Sequence, residues 1–478
     1  MLLDRYSKFI IENSSVLMSK LPIYITDIEG EMFDDENQEK FIKPLMESER
    51  KAKKVIVELK REKIMKFLGI FKKFGDTFSY LEIRHYAFET LDQLRIILRY
   101  AQNLKVLKVT KVTFQKEENK FLNSIVQIPK LSLKQLKELD CVHTDPKIFS
   151  LFTNNDELQF KVIRLRVSGV SNYEYGDFID MMSQQKRLQQ LTFEGVTSRN
   201  CDIFRYLDFL NNGLKALVVE NCLFSVLDEM RNFIQIVKNQ KQLKVLKIIN
   251  TSIPTSMDVM FTYRYIFSNY INEAHLDIGE LSFFRSHHFH NRSIKSLTLY
   301  GNFAFENLPI FINFIRMFPN VVRLKLVGGI PIGDKYLYNI LSTFRNLKEL
   351  YLPGFTSRRD DSNFSNLSSL DSKLHTLVLD YIDYDVKFFG WKNIVSNLKL
   401  IKKLVIKRDY GKVSNEIVDV IVKTLKLKHL ELGIGVVSEE ILRNIVYNNC
   451  CDELKVLKIA KTDFEKIEII SAIFAWQL

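Results

Sequence analysis

Apolar residues in this chain recur in one short phrase, apolar-x-x-Leu-x-apolar, that returns from residue 78 almost to the last residue. Its central leucines are Leu81, Leu107, Leu139, Leu165, Leu191, Leu217, Leu246, Leu276, Leu297, Leu324, Leu350, Leu377, Leu404, Leu430 and Leu457, the Leu276 copy being degenerate. Steps run from 21 to 32 residues and average about 27. The Leu-x-apolar core has period two, so it predicts a strand with both apolar side chains on one face. Between strands the period becomes helical, as at Leu91, Leu94, Ile97 and Leu98, at Phe204, Leu207 and Leu210, and at Ile417, Val420, Ile421 and Leu425. Val55-Ile56-Val57, about one period before Leu81, is read as the opening strand and brings the array to about 16 rungs.

A period near 27 lies within the 20–29 residues of leucine-rich repeats. The expected fold is an α/β solenoid with a curved parallel β-sheet on its concave face and helices on its convex face. One rung alone leaves its apolar face wet, so the core exists only between stacked neighbours. With strands about 4.8 Å apart, sixteen rungs would make an arc of roughly 70 Å. Length alone would suggest about three domains, but the repeat replaces them with one elongated body over residues 51–478. Residues 1–24 and an acidic connecting segment, 25–50, stand before it.

If the Leu-x-Leu pair points inward, residues at −1, +1 and +3 from each central leucine face the concave surface. Among them are Arg164 and Arg166 on one rung, Tyr300, Arg323 and Lys325 further on, then Glu349, Tyr351, Val378 and Lys403. Tyrosine and arginine beside exposed aliphatics compose a typical protein-binding hot spot. Any mixed polar sheet face would also contain a few of each.

Composition then narrows the class. Hydrophobic residues make up 46% and charged residues 26% of 478, enough for a large core, and Gly 17 with Pro 9 are too few for a turn-rich sandwich. Formal net charge is +12. Residues 1–70 are balanced, so the whole excess lies in 71–478. Its lysines are spread out with no run of five, and charge as the only cue favours a solvated lysine-rich exterior over a nucleic-acid groove. Five unpaired-looking cysteines, Cys141, Cys201, Cys222, Cys450 and Cys451, form no C-x-x-C pair and suggest a reducing compartment, cytoplasmic or nuclear. The N-terminus lacks the form of a secretory signal, and no apolar run is long enough to span a bilayer.

No catalytic or cofactor motif stands out. Gly433-Ile-Gly435 lacks the third glycine of a dinucleotide loop, and Gly328 to Lys335 lacks the lysine spacing and Ser/Thr of a phosphate loop. His287, His288 and His290 could in principle bind zinc, but a solvated loop fits them better, and neither a metal nor another cofactor is expected. The reading is a non-enzymatic protein, with no membrane partner.

Residues Lys8-Phe-Ile-Ile-Glu-Asn-Ser-Ser-Val-Leu-Met-Ser-Lys-Leu21 are similar to the last helix of an F-box and its exit. Together with the repeats, the arrangement resembles F-box/leucine-rich-repeat proteins, particularly the insect-type ones. The Leu-Pro-x-Glu-x-Leu opening of an F-box has no counterpart before Tyr6, so the resemblance is to an incomplete module, truncated or no longer docking. It implies a substrate-recruiting subunit of a cullin–RING ubiquitin ligase, with Phe9, Ile10 and Leu17 as an adaptor-facing remnant. Two alternatives stay open: a leucine-rich scaffold without ligase linkage, and a basic nucleic-acid-binding solenoid.

Overall fold

The structure, a computed structural model, describes residues 23–26, 46–47, 51–59, 64–115, 131–153, 155, 157–167, 176–197, 213–224, 227–251, 270–277, 290–301, 308–328, 332, 334–354, 372–380, 398–408, 425–434 and 453–459. In its first part the strands are β1 (Ile23–Thr26), β2 (Lys54–Glu58), β3 (Tyr80–Arg84), β4 (Ala87–Phe88), β5 (Val106–Thr110), β6 (Thr113–Phe114), β7 (Glu138–Val142), β8 (Val162–Arg166), β9 (Gln190–Glu194) and β10 (Ala216–Glu220). There follow β11 (Val245–Ile249), β12 (Glu273–Asp277), β13 (Ser296–Tyr300), β14 (Arg323–Val327), β15 (Glu349–Leu352), β16 (Thr376–Leu379), β17 (Lys403–Arg408), β18 (His429–Ile434) and β19 (Val456–Ile459). The described helices are α1 (Leu68–Phe74), α2 (Leu91–Tyr100), α3 (Gly176–Ser183), α4 (Leu227–Asn239), α5 (Leu308–Arg316) and α6 (Asp334–Thr343).

Two compact units divide the chain: Met1–Leu243 with Thr251–Thr262, and Lys244–Asn250 with Tyr263–Leu478. In the first, β1, β2, β3, β5, β7, β8, β9 and β10 pair in that order, all parallel. In the second, β11 to β19 pair consecutively, again all parallel. Each unit is an α/β leucine-rich-repeat solenoid, as the 27-residue period requires.

Register departs from the expected phrase in two rungs. Ile163, not Leu165, pairs with Leu139, and Ala274, not Leu276, pairs with Leu246 and Leu297. A leucine two residues along a strand lies on the same face, so pattern alone could not distinguish the positions; the slip of two leaves every face assignment intact. The array also begins earlier than expected. Strand β1 pairs with β2, with Ile23 and Ile25 buried and Tyr24 exposed.

The core lies between sheet and helices. Leu91, Leu94, Ile97 and Leu98 of α2 are all buried, as their spacing predicts. Phe178 of α3 stands edge-on to Phe193 of β9, ring centroids 6.3 Å apart, and to Phe149, 4.9 Å away. Phe149 belongs to a 3-10 turn, Pro146–Leu151, that replaces the helix of its rung; Asp145 caps it by accepting from the Lys147 amide. The other predicted helices, at 204–210 and 417–421, lie outside the described residues.

After the strand, six of the described rungs turn in one conformation. The residue following β3, β5, β7, β10 and β11 is His85, Lys111, His143, Asn221 and Asn250, each with φ between 47° and 53°. Gly195 serves after β9 with φ 74°, and a Cβ there would collide with the Val167 carbonyl. This left-handed residue aims its amide at the next rung: His85 donates to the Thr110 carbonyl at 2.7 Å, Lys111 to Val142 at 2.7 Å and Gly195 to Glu220 at 2.9 Å. One residue further, where the general leucine-rich pattern places Asn or Cys, sit Thr144, Cys222 and Thr251. Each hands its hydroxyl or thiol proton to a strand carbonyl, for example Thr144 to Val142 at 3.1 Å. On the return side, six residues before the rung's inward-facing strand residue, Gln185, Gln240 and Asn291 are buried and accept amides of the incoming segment, as Gln185 does from Phe160 at 2.8 Å.

Leu350 is fully buried, whereas Lys325, one strand away on the other face, is exposed. Leu350→Ala should therefore cost about 2–5 kcal/mol in denaturant unfolding and Lys325→Ala less than about 0.5 kcal/mol. Similar losses for the two would contradict the face assignment.

Candidate binding face of the sheet

Opposite the core, each sheet presents three rows of side chains. In the second unit the row at −1 runs Ser296, Arg323, Glu349, Thr376, Lys403, and the central row runs His275, Thr298, Lys325, Tyr351, Val378, Val405. Tyr300, Arg323, Lys325, Glu349, Tyr351, Val378 and Lys403 thus lie together on β13 to β17, as their spacing predicts. Arg164 and Arg166 lie on β8, in the first unit.

One expectation needs correction: the central row is largely covered. Val378 is 5% exposed, Val405 4% and Thr298 5%. A side chain in the middle of a strand is flanked along its own strand and by both neighbours about 4.8 Å away, so a short one is overtopped. Val378 therefore offers no exposed aliphatic anchor. Only long side chains in that row emerge, Lys325 among them.

The emergent side chains form a fixed arrangement. Arg323 grips Glu349 with two parallel hydrogen bonds, Nε to Oε2 at 2.7 Å and Nη2 to Oε1 at 3.0 Å. Tyr351 donates its hydroxyl to the same carboxylate at 3.2 Å. These bonds, Arg323's first among them, hold the Glu349 carboxyl below its ordinary range against the opposing effect of burial, while burial and the Glu349 charge raise Tyr351. Lys325 stands exposed beside them with no ion-pair partner among the described residues. Next along, His275 stacks on Tyr300 and holds Glu273 at 2.8 Å through Nε2, leaving its buried Nδ1 without a hydrogen bond. Burial, helped by Lys247 and Lys325, lowers the His275 pKa against the opposing effect of its bond to Glu273.

In the first unit the same residue types close on themselves. The hub is Glu82 on β3, almost fully buried, which accepts from Arg84 Nε at 2.8 Å and Tyr80 OH at 2.9 Å and pairs with Lys108 at 3.3 Å. Burial alone would raise its carboxyl, but these donors and the Lys108 charge outweigh it and the pKa falls. Tyr80 is pushed up to about 12, chiefly by burial and then by its bond to Glu82. Arg166 pairs with Glu194 at 2.9 Å and Arg164 with Glu138 at 3.6 Å. The phrase Tyr80-Leu-Glu-Ile-Arg84 already carries this hub as alternating residues; spacing by single rungs hides its partner Lys108, one strand away.

Among the described residues no three His, Cys, Asp or Glu gather to hold a metal. Cys141 and Cys222 are free and buried, and burial raises both thiols, Cys222 to about 12. Gly433 lies inside β18, where any side chain would strike the Lys407 carbonyl, which accounts for the glycine without a nucleotide. Phe9, Ile10 and Leu17, the histidines His287 and His288, and Cys201, Cys450 and Cys451 lie outside the described residues. No helix among the described residues is long and apolar enough to cross a membrane.

Fold and face together define the class: a leucine-rich-repeat solenoid with a polar, tyrosine- and arginine-bearing sheet surface. No family model matches the chain, and no curated protein matches it.

Glu82 has a lowered folded pKa, so its stabilisation is complete above the unfolded carboxyl value of about 4.3 and is lost as pH falls below it. Glu82→Gln should be less stable than wild type by about 1–3 kcal/mol at pH 7, and the gap should narrow between pH 5 and pH 3. A gap that stays constant in urea titrations over that range would refute the charge hub.

Proposed function

We propose that this protein is a non-enzymatic recognition solenoid that binds a protein target on the open sheet face of its second unit, between β12 and β17. The observation that carries this reading is the contrast between the two faces. In the first unit four of the five strand cations on this face, Arg84, Lys108, Arg164 and Arg166, are ion-paired, and the fifth, Lys54, lies over the Tyr80 ring. In the second, the Arg323–Glu349–Tyr351 unit is held in one geometry beside the exposed Lys325. Rigid arginine and tyrosine groups lose little conformational freedom on association, which is the usual property of a hot spot.

The finer reading, recruitment of that target to a cullin–RING ubiquitin ligase, is supported by the similarity of residues 8–21 to the end of an F-box. Chemistry would then belong to other subunits, and the cytoplasm or nucleus would be the place of action.

Quantitative affinity capture from cells tests both levels. The double substitution Lys325→Ala with Tyr351→Ala should remove the specific target at least tenfold and leave the melting temperature within a few degrees; retention of every partner would exclude this face. Co-purification of the cullin adaptor, lost when residues 1–24 are deleted, is the result expected of ligase linkage. A target without the adaptor would mean a scaffold instead.

A further inference from the structure

Lysines that are scattered along the sequence are collected by the fold. Just before each strand, the residue two positions ahead of the inward-facing one gives its amide to the carbonyl of the equivalent residue in the preceding rung. In the second unit this chain runs Asn272 to Lys244, Lys295 to Asn272, Val322 to Lys295, Lys348 to Val322, His375 to Lys348 and Lys402 to His375, at 2.8 to 2.9 Å. These residues are therefore stacked at the spacing of the sheet, about 4.8 Å. From Lys244 to Lys402 the position is lysine in alternate rungs, and Lys428 and Lys455 continue it on the next two. A second cation precedes it by three residues in rungs such as Arg292 with Lys295, Arg345 with Lys348 and Lys399 with Lys402. All six are exposed.

None of the six has an ion-pair partner among the described residues, unlike the arginines of the sheet face. Among the described residues of the four positions leading into these strands, Glu453 is the single carboxylate. Neutral or weakly basic residues, Val322 and His375, separate the cationic rungs, setting the charge pairs about 9.6 Å apart. The result is a rail of positive charge along the edge where the strands begin, separate from the open face.

We propose that this edge binds the phosphate backbone of duplex nucleic acid without sequence preference. Lysine is a point-charge phosphate ligand whose long stem tolerates a mismatch between rung and phosphate spacing. From Lys244 to Lys455 the rail is about 38 Å long, the length of roughly eleven base pairs. A single strand would instead need a series of aromatic stacking platforms, and Tyr270 is the one exposed aromatic side chain described there. The fold thereby supplies what the sequence-level charge distribution lacks.

The experiment is fluorescence anisotropy of the full chain with a labelled random-sequence 20-base-pair DNA duplex. Six lysine and arginine contacts give a slope of log affinity against log salt of about −5, so affinity should fall roughly a thousandfold between 50 and 200 mM salt. Lys348→Glu with Lys402→Glu should weaken binding at least tenfold and reduce the slope by about 2. Lys111→Glu with Lys147→Glu, exposed lysines elsewhere with the same net-charge change, should change it less than threefold. Circular dichroism confirms folding of both variants. Equal weakening by the two variants, a flat salt response, no duplex binding, tighter binding of oligo-dT or tighter binding of phosphatidylserine vesicles would each overturn the proposal. So would a loss of thermal stability in Lys348→Glu with Lys402→Glu at unchanged affinity, which would assign the lysines to offsetting helix C-termini.

Discussion

Within each unit, successive rungs from β2 onward share a carbonyl that accepts two amides. Lys295 takes the Val322 and Arg323 amides at 2.8 and 2.9 Å, Lys348 those of His375 and Thr376 at 2.8 and 2.9 Å, and Lys53 those of Ser79 and Tyr80 at 2.9 and 3.2 Å. This bond pair pins the start of the strands that follow, and with it the register. Once register is fixed, residues of equal position become columns, and the columns behave differently. The inward column is dry and apolar. The central outward column is crowded, so Val378 and Thr298 disappear while lysines emerge. The position before the strand stays in water.

The same register explains why two similar charge hubs do different work. Glu82 shares β3 with both Tyr80 and Arg84 and has Lys108 beside it on β5, so the carboxylate is enclosed. Glu349 draws Arg323 from the neighbouring strand, and about half of that guanidinium side chain remains exposed, 53%. A buried hub supports the fold; an exposed one of the same composition presents a rigid surface.

Much of this was legible in the sequence because the leucine period is also the period of the backbone ladder. Solenoid fold, parallel strands, inward leucines and the grouping of Tyr300 through Lys403 all follow from counting. What did not follow was anything that depends on neighbours across the sheet. Leu165 and Leu276 satisfy the phrase as well as Ile163 and Ala274 do, since a slip of two preserves the face. Burial of Val378 is set by side chains one rung away. Pairing of Arg164 and Arg166 within the first unit, and the left-handed turn carried by His85 or Lys111, have no signature in a leucine count. The rail of lysines makes no charge run along the chain, because these charges recur with the rungs.

Distances between spin labels measure the ladder directly. Labels at Lys295 paired in turn with labels at Lys348, Lys402 and Lys455 span two, four and six rungs of the second unit. Parallel stacking in the register described requires backbone separations that rise steadily, about 10, 19 and 29 Å. Separations that fail to increase in that order, or that scatter without relation to rung number, would contradict it.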